Sequence, residues 1–435
     1  MNSLELKETD QIGLIRKRCA DNGITKIRDI AQAYAELRDI QIKAELWCYE
    51  KFTEDGSDAD AVMTSEATQS SKKCIVYSIN HYLGLNRHPD VIQAGIEALQ
   101  NYGTGCGTAA VGGGHSRLHK NLETKLAQVF EKETAILFPT GYTANLGAIQ
   151  ALAKGSNSIV LFDRECHASI VDGIKLAGCK YFSFKHNDVA DLEKKLKTRV
   201  SEYENVFVIV ESVYSLSGDE SPLSEIVNLK KSYPFNFFVD ESHAFGFYSI
   251  GGLSRKLGIS NEVDFVMTTL SKSTASIGGV IATNREFATL LKVESNAYVF
   301  QAALTPPDAA TALKALDVIE SNPKLIESLW AKTNYFREKL VNAGFDTGTS
   351  RSPIVPVYIR DSEKVFNMSA GLLEHDIFSI AVIYPAVKTS EVRIRFIINE
   401  SHSYEQLDYT ISILIKLGKE FGVLDYDNNS GGCLQ

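Results

Sequence analysis

Apolar and polar positions along this chain follow two rhythms, which change over near residue 135. From residue 1 to about 52, apolar residues recur at helical spacing, as in Ile12, Leu14 and Ile15, then Ile27, Ile30, Ala31 and Tyr34, then Leu37, Ile40 and Leu46. That pattern predicts a helical N-terminal arm. Asp55 to Lys73, with Gly56 and many serines and threonines, reads as a loop or linker. Cys74-Ile-Val-Tyr-Ser reads as a short strand, and helices are expected over 90–101 and 116–130. The glycine-dense loop between those helices, Gly103 to Gly114, is too irregular for G-x-G-x-x-G.

From residue 135 the rhythm changes. Short continuous apolar runs (Ala135–Phe138, Ser158–Phe162, Lys180–Phe184, Val206–Val210, Phe235–Val239, Phe265–Met267 and Val280–Ala282) alternate with helical stretches. Such runs predict a mainly parallel sheet of seven strands with helices on both faces, an α/β architecture. Polar residues follow the runs directly, among them Asp163, Glu211 and Asp240, where open α/β sheets place ligands. Helical patterns at 308–321, 323–343, 363–374 and 403–420, with strands at 354–359 and 392–398, predict a small α+β C-terminal domain. The expected division is an arm and linker over 1–75, a large domain over 76–310, a small domain over 311–424 and a disordered tail over 425–435.

Composition narrows the class. Apolar content of 44% and charged content of 23% suit an ordinary globular protein. A net charge of -9 leaves no basic surplus for nucleic acid or an anionic membrane. No apolar run approaches the ~20 residues of a membrane helix, and the N-terminus lacks a secretory apolar core. Seven scattered cysteines without a C-x-x-C pair suit reduced thiols rather than a disulfide framework or a metal site. The expected compartment is the cytoplasm.

The candidate chemistry centres on Phe265-Val-Met-Thr-Thr-Leu-Ser-Lys272-Ser-Thr-Ala-Ser-Ile-Gly-Gly-Val-Ile-Ala282. Strand, polar loop, lysine, glycine pair and strand set an amine at the mouth of a buried sheet. A lysine so placed is the type that forms Schiff bases with carbonyl cofactors, although loop lysines also simply reach solvent. Asp240, in Val239-Asp-Glu-Ser-His243, reads either as a turn or cap residue or as a carboxylate against a heterocycle nitrogen, which makes the ring an electron sink. His243 can donate to a ring hydroxyl, His167 can stack on a planar cofactor, and Thr140-Gly-Tyr at a helix start offers N–H groups to a phosphate.

These motifs occur in one order: Asn80-His-Tyr-Leu-Gly84, Thr140-Gly-Tyr-Thr-Ala-Asn145, His167-Ala-Ser, His186-Asn-Asp, Ser215-Leu-Ser-Gly-Asp219, Asp240-Glu-Ser-His243, Thr269-Leu-Ser-Lys272 and Arg393-Ile-Arg395. In that order the chain resembles the α-oxoamine synthase family of fold-type I pyridoxal-phosphate enzymes, over roughly residues 75 to 424. Ser-Lys-Ser-Thr-Ala-Ser-Ile-Gly-Gly and Ser352-Pro-Ile-Val-Pro-Val-Tyr-Ile-Arg-Asp361 look most like bacterial serine palmitoyltransferases, enzymes of sphingolipid biosynthesis.

The resemblance implies pyridoxal 5'-phosphate as cofactor and a role for each matched residue. Lys272 would bind the cofactor covalently and later move the α-proton, Asp240 would pair with the ring nitrogen, and His167 would stack on the ring. His243 and Ser215 would contact the phenolic oxygen. Thr140, Gly141 and Thr269 would bind phosphate, with Tyr142 beside the ring. Asn80 and Arg395 would face the substrate carboxylate, with Arg393 the second choice on the same strand face.

The implied reaction is a decarboxylative condensation of an amino acid, L-serine as the leading choice, with an acyl thioester carried by CoA or a carrier protein. It yields an α-amino ketone, CO2 and a free thiol, in a homodimer with shared active sites. A synthase using glycine, alanine or 2-aminobutyrate, an aminotransferase, and a non-catalytic regulatory subunit are the alternatives. Two loops depart from the family pattern: Gly107-Thr-Ala-Ala-Val-Gly-Gly-Gly114 lacks its arginine, and Phe300-Gln-Ala-Ala-Leu-Thr-Pro-Pro307 keeps only Thr305 of its hydroxyl residues.

Overall fold

The computed structural model describes residues 4–47 and 49–425 and divides into two compact units. One comprises residues 80–215 and 219–328; the other joins residues up to 79 with 216–218 and those from 329 onward. Of the expected tail at 425–435, residues 426–435, with Cys433, lie outside the described residues, as does Cys48. The remaining five cysteines are free.

The first unit is built on the seven apolar runs. They form β1 (Thr134–Phe138), β2 (Ser158–Asp163), β3 (Lys180–Phe184), β4 (Asn205–Glu211), β5 (Asn236–Asp240), β6 (Phe265–Thr269) and β7 (Gly279–Thr283). Their spatial order is β1-β7-β6-β5-β4-β2-β3. Strands β3, β2, β4, β5 and β6 run parallel, and β7 pairs antiparallel with both β6 and β1. Nearly every residue of β2, β6 and β7 is buried, because helices cover both faces. Ile136, Phe138, Val160, Phe207, Phe238 and Phe265 from the sheet pack with Ile149, Ile170 and Ile174 from two helices. Each such side chain stabilises the fold by roughly 1.5–3 kcal/mol.

Those two helices are α1 (Gly141–Leu152) and α2 (Ala168–Ala177). They pack closely because Gly173 carries no side chain: a Cβ there would lie 3.1 Å from the Asn145 carbonyl oxygen and the Ile149 Cβ. Register does the rest of the positioning. Glu211 stands opposite Asp240, and Asp240 opposite Met267, so β4, β5 and β6 end side by side.

In the second unit the helical N-terminal pattern is realised as Ile15–Asp21 and Ile27–Lys43, ending earlier than residue 52. The stretch expected to be a linker is instead a hairpin. Asp60–Ser65 pairs with Ser71–Val76, flanked by the strand Lys51–Thr53 and, in parallel, Ile377–Phe378. Its few apolar residues (Ala61, Met63, Cys74 and Val76) are buried in a small cluster with Leu373 and Phe378, which outweighs the turn-like composition. The Ser65 N–H donates to the Ser70 carbonyl at 2.9 Å and closes the turn. A three-stranded antiparallel sheet, Ile354–Tyr358, Arg393–Ile397 and Ile380–Val382, packs with helix Ser362–Glu374, which in turn packs on Tyr404–Glu420.

Candidate active site

The ends of β4, β5 and β6, the starts of α1 and α2, and the loop after β6 enclose a cavity of about 340 Å³. Asp240 reaches it with both carboxylate oxygens accepting N–H bonds. Asn145 Nδ2 donates to Oδ2 at 2.8 Å, and the Ser242 main chain donates to Oδ1 at 2.9 Å. Pure donors suit an ionised acceptor. Asn145, one turn into α1, also donates to the Ser169 hydroxyl at 3.0 Å and so ties both helices to Asp240.

His167 is the N-cap of α2, and its Nδ1 accepts the Ser169 N–H at 3.2 Å. With Nδ1 committed, the ring is fixed in place facing the cavity. Desolvation by the surrounding protein holds its pKa below the usual histidine value; the Lys272 charge adds to this and the Asp240 charge opposes it. A neutral imidazole is suited to lie against an aromatic ring. His243 lines the same wall, and its Nδ1 pairs with the hydroxyl of fully buried Tyr82 at 2.7 Å.

At the other end of the cavity α1 begins. Thr140 caps it, accepting the Thr143 N–H at 3.1 Å. Gly141 follows because nothing larger fits: a Cβ there would stand 2.7 Å from the Thr269 Cβ. Thr269 and Ser271 face this helix start, their hydroxyls 2.8 Å apart. A helix N-terminus flanked by hydroxyls favours a phosphate-sized anion. Exposed Tyr142 sits edge-on to His167, and its hydroxyl donates to Asp172.

Lys272 lies on the loop 270–278 between antiparallel β6 and β7. The Leu270 N–H donates to the Gly278 carbonyl at 2.9 Å, and the Ala275 N–H to the Lys272 carbonyl at 2.9 Å. Thr274 Oγ1 donates to the Leu270 carbonyl at 2.7 Å. These bonds hold the lysine's main chain in one position while its side chain lines the cavity.

The expected Ser215 lies in the turn from Tyr214 to Asp219, closed by the Tyr214 N–H donating to the Asp219 carbonyl at 3.1 Å. A carboxylate bracket anchors that turn. His186 Nδ1 meets Asp163 at 2.9 Å and its Nε2 meets Asp219 at 2.8 Å. Burial disfavours the charged ring, but the hydrogen bonds and charges of the two aspartates outweigh it and raise the pKa to about 10.

Of the expected residues, Thr140, Gly141, Tyr142, His167, Asp240, His243, Thr269 and Lys272 line one cavity, whereas Ser215 is not among its walls. Asn80 begins this unit, and its buried Oδ1 has no hydrogen-bond partner among the described residues. Arg393 and Arg395 belong to the other unit, on Arg393–Ile397. Arg393 is already engaged, donating to the Tyr358 hydroxyl at 2.6 Å and the Glu391 carbonyl at 2.9 Å. The two departing loops meet each other: Ala109 bridges Ala302, and the Ala303 N–H donates to the Thr108 carbonyl at 3.0 Å.

Asn145, Ser169, Ser242, Tyr82 and Glu211 join the site without a motif of their own in the sequence; only Asn145 carries a signal, standing four residues after Gly141 on the same helix face. The donor set fits one kind of group. An anion seat, an acid for a ring nitrogen, a flat neutral imidazole and an amine match the phosphate, pyridine and aldehyde of pyridoxal 5'-phosphate.

Comparison with known proteins gives the same cofactor. The aminotransferase class I and II family model matches residues 72–414. A serine palmitoyltransferase of Sphingobacterium spiritivorum is 36% identical over 358 residues, covering 82% of this chain and 89% of that protein. An 8-amino-7-oxononanoate synthase of Thermoanaerobacter pseudethanolicus is 35% identical over 355 residues, covering 81% of this chain and 90% of that one. A solved serine palmitoyltransferase from S. paucimobilis, with a bound PLP–myriocin aldimine, superposes with a TM-score of 0.86 at 29% identity, covering 92% of this chain and all (100%) of that one.

Proposed function

Because the chain belongs to the aminotransferase class I and II family, as a pyridoxal-phosphate-dependent α-oxoamine synthase, we propose that it condenses L-serine with a long-chain acyl thioester, releasing CO2. The observation that carries this reading is the closure of Lys272, Asp240, His167 and the α1 N-terminus around one cavity. The residues divide the work. Thr140, Gly141 and Thr269 hold the phosphate at the helix start, with Tyr142 at the cavity edge. Asp240 would keep a proton on the ring nitrogen, His167 would cover one ring face against water, and His243 would hold the phenolic oxygen; the family resemblance adds Ser215, which is not among the cavity walls, to that contact. The cofactor supplies an electron sink for the charge left on the amino acid's α-carbon.

Lys272 provides the anchoring amine, and its Nζ takes up the α-proton. The α-carbon then bonds to the thioester carbonyl carbon, the C–S bond breaks and the thiol leaves. The carboxylate departs as CO2 and Lys272 Nζ returns its proton to the α-carbon, while the departing thiolate takes a proton from solvent, leaving an α-amino ketone and a free thiol. The family resemblance gives that carboxylate to Asn80 and Arg395, whose planar guanidinium matches a carboxylate bidentately, with Arg393 the second choice. Glycine, alanine and 2-aminobutyrate are the rival amino acids, and the near-equal identity to the 8-amino-7-oxononanoate synthase favours testing them beside serine.

The site works in a homodimer. Supporting this, Ile92, Ile96, Leu99 and Tyr102 form an exposed apolar stripe along one face of the helix Pro89–Tyr102. No helix among the described residues is long and apolar enough to cross a membrane; a cytoplasmic location is part of the proposal.

The test is a two-stage screen. Protein given pyridoxal 5'-phosphate should show a visible absorption band that borohydride removes. Serine should shift it, and a long-chain acyl-CoA should then release thiol and CO2 together. Absence of the band overturns the enzyme reading, a shift with another amino acid but not serine replaces the substrate, and conversion of 2-oxo acids without CO2 release indicates transamination.

A further inference from the structure

Beside Asp240 stands a second carboxyl to which the proposed chemistry gives no task. Glu211 closes β4 as Asp240 closes β5, and the register sets them opposite each other on strands ~4.8 Å apart. Both side chains line the cavity, and Glu211 is only 3% exposed. Two carboxylates in such a position do not both ionise without large cost.

Hydrogen bonding distinguishes them. Asp240 accepts two N–H donors, from Asn145 and Ser242. Glu211 accepts one, from the His167 main chain to Oε1 at 2.5 Å, and no other donor among the described residues reaches it. We propose that Glu211 is a positioning residue that carries the proton of this carboxyl pair, leaving Asp240 as its one anion and bracing the main chain of His167. Asp240 then faces the cavity with an undivided charge, and His167 is held from its main chain by Glu211 and from its ring by Ser169.

The electrostatic surroundings agree. Burial, and after it the charge of Asp240 on β5, push Glu211 well above the ordinary glutamate value, and Asp163 at the end of β2 adds to the push. Lys272, on the loop after β6, and the His167 N–H act in the other direction. Cys166 and Tyr214 also face Glu211, but burial raises both well above their ordinary values, so neither adds charge at neutral pH.

The role given to Asp240 rests on the proposed function, but the proton's position is measurable without cofactor. Urea unfolding of cofactor-free wild type and Glu211→Gln is compared from pH 5.5 to 7.5. Wild type should release one proton on unfolding, so the ratio of folding constants should move toward Glu211→Gln by about tenfold per pH unit. A ratio independent of pH, or moving toward wild type, overturns the proposal. Glu211→Ala, run alongside, should show the same trend from a lower baseline and decides the question if the amide variant does not fold.

The brace is read separately from cofactor affinity. Glu211→Gln keeps an oxygen for the His167 N–H and should bind pyridoxal 5'-phosphate like wild type, whereas Glu211→Ala should bind about tenfold more weakly. Equal losses in both variants overturn the brace. If wild type binds no cofactor, the proposed function fails while the pH trend still decides where the proton sits.

Discussion

Carboxyl groups crowd at two corners of the seven-stranded sheet, and the protein relieves the crowding in opposite ways. At the ends of β4 and β5, Glu211 and Asp240 share a wall of the cavity, with N–H donors concentrated on Asp240. At the end of β2, Asp163 faces Asp219 across His186, which bonds to both. In the first corner burial and the neighbouring anion push a carboxyl toward its neutral form; in the second the anions pull an imidazole toward its charged form. The residue types hardly differ. A cation within hydrogen-bonding distance decides which group yields, and therefore which corner can present an anion to a ligand and which can only hold a turn.

Three substitutions test this contrast. Asp240→Asn removes the anion of the first corner, and turnover with serine and acyl-CoA should fall by about 10²–10³-fold, as when one preorganised electrostatic group is lost. The same change removes the Asp240 charge but leaves burial, the larger cause of the raised value at Glu211, so the proton release on unfolding should persist and its upper pH limit should fall. His186→Gln removes the cation of the second corner and leaves two aspartates facing each other, which should cost about 3 kcal/mol in urea unfolding at pH 6. The sign with pH follows from the raised value. The stability contributed by His186 is complete below the ordinary histidine pKa near ~6.5 and is lost as pH rises through about 10. Wild type and His186→Gln should therefore converge toward pH 10, and a constant difference would refute the charged bracket. Asn145→Ala removes one of the two donors to Asp240 and should lower stability by about 1–2 kcal/mol, with weaker cofactor binding as the second measurement.

The sheet was legible because its strands other than the edge strand β3 are largely buried on both faces and read as apolar runs, with Asp240 ending β5 and Lys272 just beyond the end of β6. The hairpin at Asp60–Val76 was not: its strands show burial only at alternate or scattered positions, and their exposed faces carry the serines, threonines and lysines that also mark loops. Glu211 was visible as a strand end but not as a partner of Asp240, since that depends on register between strands some thirty residues apart in sequence. Asn145, Ser242 and Tyr82 were hidden for the same reason. Each acts on a catalytic candidate through one hydrogen bond that only the folded chain assembles.

The antiparallel pairing of β6 with β7 gives the lysine loop one more property. Because Gly279 stands opposite Thr269 and Val280 opposite Thr268, the segment is a hairpin whose length is set by the pleat of the sheet. A change of one residue between Leu270 and Gly278 that was taken up as a shift of register would turn β7 over, exchanging the faces of Val280 and Ile281 beside the lysine loop. The loop that carries the amine is bounded by the same register that packs the core.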